Sequence, residues 1–114
     1  MNKIREVVAY GSYFEDFLKS LETPVQNKIF KIIEIIETIE RVPINYLKAI
    51  NGAPGLFEVR VQLGANIWRV FCFFDKGKLV VLLNGFCKKT QKTPRLEIQK
   101  ATSLMHQYHE EKNR

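Results

Sequence analysis

The spacing of apolar residues predicts one strand and two helices before Pro43. The run around Val7 and Val8 predicts a strand that ends at Gly11. Over residues 13–21 the apolar positions follow the period of a helix with one buried face: Phe14, Phe17, Leu18 and Leu21. A second helix has its isoleucines on one side and Lys and Glu on the other. Thr23, Pro24 and Gln26 predict its start, as N-cap, first-turn proline and capping box.

From Phe57 onward the pattern changes to the alternation of a strand with one buried face. Phe57, Val59 and Val61 alternate with Glu58, Arg60 and Gln62. Residues 67–74 and 79–86 predict two more strands, separated by a tight turn at Asp75-Lys76-Gly77-Lys78. Thr93-Pro94 then predicts the start of a last helix with an apolar face formed by Ile98, Ala101, Met105 and Tyr108.

The predicted order is therefore β-α-α-β-β-β-α, which is typical of an α+β domain. A chain of 114 residues is the usual size of one domain, and we expect residues 1–114 to form it. We expect a small, mostly antiparallel sheet with the helices packed on one face. The other face of that sheet is then available for a functional site.

Composition places the chain among soluble globular proteins, with 46% hydrophobic and 26% charged residues. Its longest apolar runs are far shorter than the roughly 20 residues of a membrane-spanning helix, and the N-terminus has no uninterrupted signal-peptide core. We therefore expect a cytoplasmic protein with no membrane association. Cys72 and Cys87 lie in apolar runs, which favours two small buried side chains over a disulfide or a metal site.

The net charge of +6 comes entirely from the second half of the chain. Residues 1–50 hold seven Lys or Arg and seven Asp or Glu, whereas residues 51–114 hold eleven and five. The excess is densest around Lys88, Lys89, Lys92, Arg95 and Lys100. A patch of this kind favours a polyanion such as nucleic acid. A solvated lysine face, or one that meets an acidic protein, is the alternative.

Several kinds of catalytic site have no signature in the sequence. It contains no glycine-rich phosphate loop, no zinc-ligand spacing of Cys and His, and no Gly-x-Ser-x-Gly turn. His106 and His109 lie one turn apart on the last predicted helix, a spacing that could form a metal site. Such a site needs a third ligand, and solvated histidines are the more common interpretation. We therefore expect no metal and no cofactor. A nuclease built on this chain has to stabilise the reacting phosphate with arginine and lysine.

Three segments resemble one protein family when they are taken together. They run from Gly55 to Val61, from Trp68 to Phe71 and from Val81 to Pro94, where the sequence Phe-x-Lys-Lys-Thr-x-Lys-Thr-Pro is the most specific part. In this order they resemble the phage-derived, HigB-like branch of the RelE/ParE toxins of type II toxin-antitoxin systems. The resemblance is strongest over residues 55–101 and implies the RelE-like fold.

The resemblance also implies an activity and a set of site residues. RelE-like toxins are mRNA interferases: they cleave messenger RNA on the ribosome, inhibit translation and are held inactive by an antitoxin. By position, Arg69 corresponds to the strand arginine that binds the scissile phosphate, Arg60 to a basic residue on the preceding strand, and Lys88 or Lys89 to a further catalytic cation. At Glu58 the sequence departs from RelE, which has a lysine there, and no residue clearly matches its late catalytic tyrosine. One hypothesis is that Glu58 or a neutral lysine accepts the 2′-hydroxyl proton.

We also expect Lys92, Arg95 and Phe86 to contact the RNA. The implied partners are messenger RNA, the ribosome and an antitoxin, expected to be acidic or to carry a HigA-like helix-turn-helix. Two other functions remain open on the same fold. One is a ParE-like inhibitor of DNA gyrase, which cuts nothing, and the other is a catalytically inactive domain that binds nucleic acid or antitoxin. The lysine-rich run from Lys88 to Lys92 favours RNA, whereas Glu58 is the feature that favours an inactive domain.

Overall fold

A computed structural model of the protein describes residues 2–114 as five strands and three helices. The elements in chain order are β1 (Glu6–Ala9), α1 (Tyr13–Lys19), α2 (Thr23–Thr38), β2 (Leu47–Ala49), β3 (Leu56–Leu63), β4 (Asn66–Asp75), β5 (Leu79–Lys88) and α3 (Arg95–Lys112). This mixed architecture confirms the predicted α+β class. None of the helices in the described part of the chain is long and apolar enough to cross a membrane.

The five strands form one sheet in the order β1-β5-β4-β3-β2. The pairs β2–β3, β3–β4 and β4–β5 are antiparallel, as expected for a meander, whereas β1 pairs with β5 in parallel. The sequence pattern did not predict β2. This edge strand has three residues, of which only Leu47 is half-buried, so it has no alternation that a pattern can detect.

Helices cover both faces of the sheet, so the prediction that they pack on one face was wrong. On one face, α1 and α2 pack on Val59, Val70 and Val80. On the other face, α3 packs on Phe71 and Phe73 and on their neighbours in β3 and β5. The physical reason lies in β4, where residues 68–73 are all buried. A strand that is apolar on both faces needs a layer of structure on each side.

The start of α2 also differs from its prediction. Thr23 is the first helical residue, and the N-cap is Glu22, whose side chain makes no capping hydrogen bond within the described residues. The Gln26 amide, predicted to complete a capping box, instead donates to the backbone oxygens of Leu18 and Leu21, at 2.8 and 3.1 Å. The Gln26 side chain therefore ties α2 to the C-terminal end of α1 and to the segment that follows it.

Helix α1 lies close to the sheet because β5 has a glycine beneath it. A Cβ atom at Gly85 would lie 2.5 Å from the ring of Phe17.

The two cysteines differ in exposure. Cys72 is fully buried, and desolvation raises its pKa to about 12. Cys87 is exposed, so the expectation of two buried cysteines was wrong for this one. Cys87 lies next to the end of β5, where it lines a surface cleft with Trp68.

Helix α3 is held against the sheet at both ends. Near its C-terminus, the Tyr108 hydroxyl and the Lys112 ammonium each lie 2.6 Å from Oδ2 of the buried Asp75. At its first turn, the Asn84 amide of β5 donates to the Glu97 carboxylate at 3.2 Å. These contacts hold both ends of α3 in place on the sheet. The position of its first turn determines which residues of α3 lie near the candidate site.

Candidate nucleic-acid interface

The strand register brings the predicted charged residues together on the α3 side of the sheet. Arg60 of β3 pairs directly with Arg69 of β4, and Arg69 pairs with Phe86 of β5. Lys88 lies two residues beyond Phe86 and Glu58 two residues before Arg60, so alternation places them on the same face. On each strand these side chains lie next to residues that α3 covers: Leu56 in β3, Phe71 in β4 and Phe86 in β5. We call Glu58, Arg60, Arg69 and Lys88 the charged cluster.

Arg69 is the most buried cation of the charged cluster, with 4% of its surface exposed. One terminal nitrogen, Nη1, donates to the backbone oxygen of Trp68 at 3.1 Å. Its Nε lies 3.2 Å from Oε2 of Glu58, but the N–H does not point at an acceptor, so this contact is an ion pair and not a hydrogen bond. Desolvation lowers the pKa of Arg69, and the negative charge of Glu58 acts against that shift.

Glu58 is the only carboxylate in the charged cluster, and it contacts both arginines. Its Oε2 also lies 3.4 Å from Nε of Arg60, whose side chain is about one-quarter exposed. Its Oε1 accepts a hydrogen bond from Oγ1 of Thr93 at 3.3 Å. The sequence predicted Thr93 as part of a helix start, but the N-cap of α3 is Pro94, and no side chain in the described part of the chain caps that helix. The Thr93 hydroxyl is therefore part of the site. The helix-start signal did not indicate this, although Thr93 also lies in the run Phe-x-Lys-Lys-Thr-x-Lys-Thr-Pro that carries the family resemblance.

Lys88 is half-buried at the end of β5. Burial lowers its pKa, and the positive charges of Arg69, Arg60 and Lys48 lower it further, while Glu58 opposes them. A lysine whose pKa is lowered gives up its proton more readily at neutral pH than a free lysine does. Lys48 of β2 belongs to this electrostatic neighbourhood, although β2 itself was not predicted.

The other predicted site residues lie around the charged cluster. Lys89, Lys92 and Arg95 are exposed on the segment between β5 and α3 and at the first residue of α3. Phe86 is 9% exposed and its ring stacks on that of Phe71, with 5.5 Å between centroids. Its ring therefore packs into the core beneath the site, while the three cations are accessible from solvent.

Two shallow clefts adjoin the charged cluster. One of about 140 Å³ is lined by Asn45, Arg60, Gln62 and Arg69. The other, of about 410 Å³, lies around Lys88 and Lys89. Each cleft has cations in its wall, and the arginines can bind phosphate oxygens in a bidentate manner. The arrangement suits an extended polyanion that crosses the ends of β3, β4 and β5.

The part of the chain that the structure describes contains no group of three His, Cys, Asp or Glu side chains that could hold a metal ion. His106 is exposed, and His109 is half-buried beside the ring of Phe73. The chemistry that this site can offer is that of a buried arginine, a lysine with a lowered pKa and one carboxylate.

Comparison with known proteins identifies the fold and the family. Among solved structures, the chain is similar to the crystal structure of an archaeal RelE-RelB complex from Pyrococcus horikoshii OT3, with a TM-score of 0.54 and 22% identity over 76% of this chain and 96% of that chain. A profile of the family described as phage derived protein Gp49-like (DUF891) matches residues 16–106. Comparison with curated protein sequences gives no significant match.

The fold is therefore RelE-like. The chain belongs to the phage-derived Gp49-like family, a family of RelE/HigB-type toxins, because the profile covers most of its length. Both findings confirm the resemblance inferred from residues 55–101. They point to a toxin as the general class, and they do not bear on the individual site residues.

Proposed function

We propose that this protein is a type II toxin that cleaves messenger RNA without a metal ion, on the ribosome, and thereby stops translation. The observation that carries the proposal is the position of Arg69. It is a buried arginine on a central strand, paired with one carboxylate and placed next to Lys88, whose pKa is lowered. A buried, oriented cation stabilises the charge that develops on a phosphate during cleavage better than a solvated one does.

The proposed reaction is an attack of the RNA on itself. The 2′-oxygen forms a bond to the adjacent phosphorus while Glu58 accepts its proton, and Arg69 stabilises the charge on the phosphate oxygens. The bond from phosphorus to the 5′-oxygen breaks, and Lys88 gives a proton to that oxygen as it leaves. The products are a 2′,3′-cyclic phosphate and a 5′-hydroxyl, and no metal ion takes part.

The charge balance of the site supports a phosphate ligand. Within the charged cluster three cations face a single carboxylate, and Lys89, Lys92 and Arg95 extend the positive surface along the segment that follows β5. Each phosphate that these side chains neutralise releases condensed counterions, so binding should weaken as salt increases. A gyrase inhibitor that cuts nothing does not require this concentration of charge.

One observation favours the inactive binding domain as a second candidate. Glu58 already pairs with Arg69 and Arg60, so a phosphate has to compete with a carboxylate that is 7% exposed. If Glu58 never releases Arg69, the surface binds RNA or antitoxin without cleaving. The two candidates differ in one observable result, which is the appearance of new 5′ ends in messages.

The proposal includes an antitoxin as the protein partner. The archaeal structure that this chain resembles is a complex of RelE with RelB, and we expect a cognate antitoxin here, acidic or with a HigA-like helix-turn-helix. A negatively charged antitoxin segment would be attracted to the positive surface around Lys88 to Arg95, and complementary charge would speed their association. We expect the toxin to act in the cytoplasm, where translation takes place.

The test is induction of the protein in bacteria followed by 5′-end mapping of cellular RNA. Three variants accompany it: Arg69→Ala, Arg69→Lys and, as a matched control, Lys78→Ala, which removes an exposed cation at the opposite end of β5. We expect new cuts inside translated frames with the natural chain and with Lys78→Ala, and none with Arg69→Ala. We expect Arg69→Lys to cut weakly, because lysine cannot form two parallel bonds to phosphate.

Thermal unfolding of each purified variant shows whether it is folded. Growth arrest with intact messages would refute the ribonuclease and favour gyrase as the target. Absence of both arrest and cuts would favour the inactive domain.

A further inference from the structure

A groove of about 970 Å³ lies between α3 and the loop that joins β2 to β3. Its floor is apolar, with Ala53 and Met105 each only 8% exposed and Ile98 half-buried beside them. Its volume falls at the upper end of the range of pockets that bind small organic ligands, which is roughly 300–1,000 Å³. The groove is therefore large enough for a nucleoside.

The rim of the groove is polar and carries no negative charge. Arg95, Gln99, Ser103 and His106 follow one another along the exposed side of α3 at offsets of zero, four, eight and eleven residues. Such offsets keep side chains on one stripe of a helix, here over about 16 Å, since each residue adds roughly 1.5 Å. Asn51 lies on the opposite wall, and the groove, all within the described residues, has no Asp or Glu in its lining.

The groove begins one side chain away from the charged cluster. Thr93 lines the groove, and its hydroxyl donates to Glu58. An RNA strand with a phosphate bound to Arg69 would therefore place a neighbouring nucleotide near the mouth of the groove. Arg95 stands at the first turn of α3, where it can meet the next phosphate along the strand.

We infer that this groove binds an unpaired nucleotide next to the scissile phosphate and so determines where the RNA is cut. The inference rests on the proposed function and adds the substrate contact that sets its specificity. The apolar floor can cover the face of a base, and the amide and hydroxyl groups of Asn51, Gln99 and Ser103 can bond to its edge, as proteins read single-stranded RNA. A docked helix of a protein partner would insert several apolar anchors into a hydrophobic groove, whereas seven of the twelve residues that line this groove are polar.

Two variants of the full chain test the inference in an in vitro translation mixture with a message that contains all codons. Ser103→Tyr places a ring in the groove, and Gln99→Ala removes a hydrogen-bonding group. Gln107→Ala is the matched control, because Gln107 is an exposed glutamine of the same helix outside the groove. Cuts are mapped by their 5′ ends, and rates are measured at limiting and at saturating message.

We expect Ser103→Tyr to lower the rate at limiting message by about ten-fold and to change the distribution of cut sites. We expect Gln99→Ala to lower that rate by roughly five-fold, with both variants within about two-fold of the natural chain at saturating message. Gln107→Ala should match the natural chain throughout. If Ser103→Tyr fails to fold, Gln99→Ala carries the test alone.

The failures of the two ideas are distinguishable. A natural chain that cuts no message overturns the proposed function and the inference with it. A natural chain that cuts, together with groove variants that cut the same sites at the same rates, overturns the inference and leaves the proposed function standing. Groove variants that lose binding to an antitoxin and keep their cut sites also overturn it, because the groove would then serve a protein.

Discussion

Substitution of Glu58 by Gln separates the two roles that the structure gives this carboxylate. Gln has the same shape and can keep the contact with Thr93, but it carries no charge for Arg69 or Arg60. As a proton acceptor, Glu58 is needed for cleavage. As an ion-pair partner, it stabilises the fold and competes with phosphate for the arginines. The three consequences can be measured separately on one variant.

The structure sets the expected size of the effect on stability. Arg69 is 4% exposed and would lose the one carboxylate that pairs with it among residues 2–114, whereas Arg60 can turn toward water. Removing one partner of a buried ion pair costs about 3–5 kcal/mol. We expect the lower end, about 3 kcal/mol, because Arg69 retains its bond to the Trp68 carbonyl. For a domain of this size that corresponds to a fall in Tm of roughly 12 °C.

RNA should recover much of this loss. A message made of 2′-O-methyl nucleotides lacks the attacking hydroxyl, so it can bind without being cut. At one hundred times its Kd, a ligand that binds only the folded state stabilises it by about 2.7 kcal/mol. We expect Glu58→Gln to bind this message at least as tightly as the natural chain, and to cleave an ordinary message about 10²- to 10⁴-fold more slowly.

Urea unfolding measures the stability of the variant. Fluorescence anisotropy with labelled RNA measures its RNA binding, and 5′-end mapping measures its cleavage. Glu110→Gln is the control, since it removes an exposed carboxylate from the end of α3. Undiminished cleavage by Glu58→Gln would refute its role as base. Unchanged stability would refute the argument that the carboxylate compensates the buried arginine. Weaker RNA binding would refute competition between Glu58 and phosphate.

Three further predictions concern the cations, the fold and pH. Lys88→Arg should keep RNA binding and slow cleavage. Because arginine does not release its proton, the activity of this variant should no longer fall at alkaline pH. A pH-rate profile equal to that of the natural chain would refute the role of Lys88 as the acid. Gly85→Ala should destabilise the fold by about 1–3 kcal/mol in urea unfolding, because its methyl group meets Phe17, and Phe17→Leu should lessen the loss. Hydrogen bonds from Lys112 and Tyr108 lower the pKa of Asp75 in the folded chain. The ionised carboxylate therefore stabilises the fold above the ordinary pKa of 3.8, and this stabilisation is lost as the pH falls through the lower pKa of the folded state. Urea unfolding should therefore show that Asp75→Asn lowers the free energy of unfolding at pH 7. An equal loss of unfolding free energy at a pH below the folded pKa of Asp75 would contradict this.

The periodicity of the sequence predicted the helices and the long strands because local burial decides both. A helix with one buried face shows a period near 3.6 and a half-buried strand a period of two, so α1, α2, β3 and α3 could be identified within a few residues. The same logic fails for β2, which is too short to show a period, and for the parallel pairing of β1 with β5, which depends on residues more than 70 positions apart.

The candidate site was predicted in part. The family resemblance indicated Arg60, Arg69 and Lys88 as site residues, and the register places them on one face. The role of Thr93 was missed, because a Thr-Pro pair is the ordinary signal of a helix start and its hydroxyl turns instead to a carboxylate 35 residues away. Phe86 was predicted to contact RNA, but its ring stacks on Phe71 in the core and is 9% exposed.

The sequence by itself determined the class of the fold, the family and the residues from which a positive surface can be built. It did so because composition, local period and a specific run of residues are properties of neighbouring positions. The tertiary structure alone decided that helices cover both faces of the sheet, that Arg69 is buried against Glu58, and that a groove opens beside them. These features depend on which distant segments exclude water from each other, and burial of that kind sets the strength of every charge in the site.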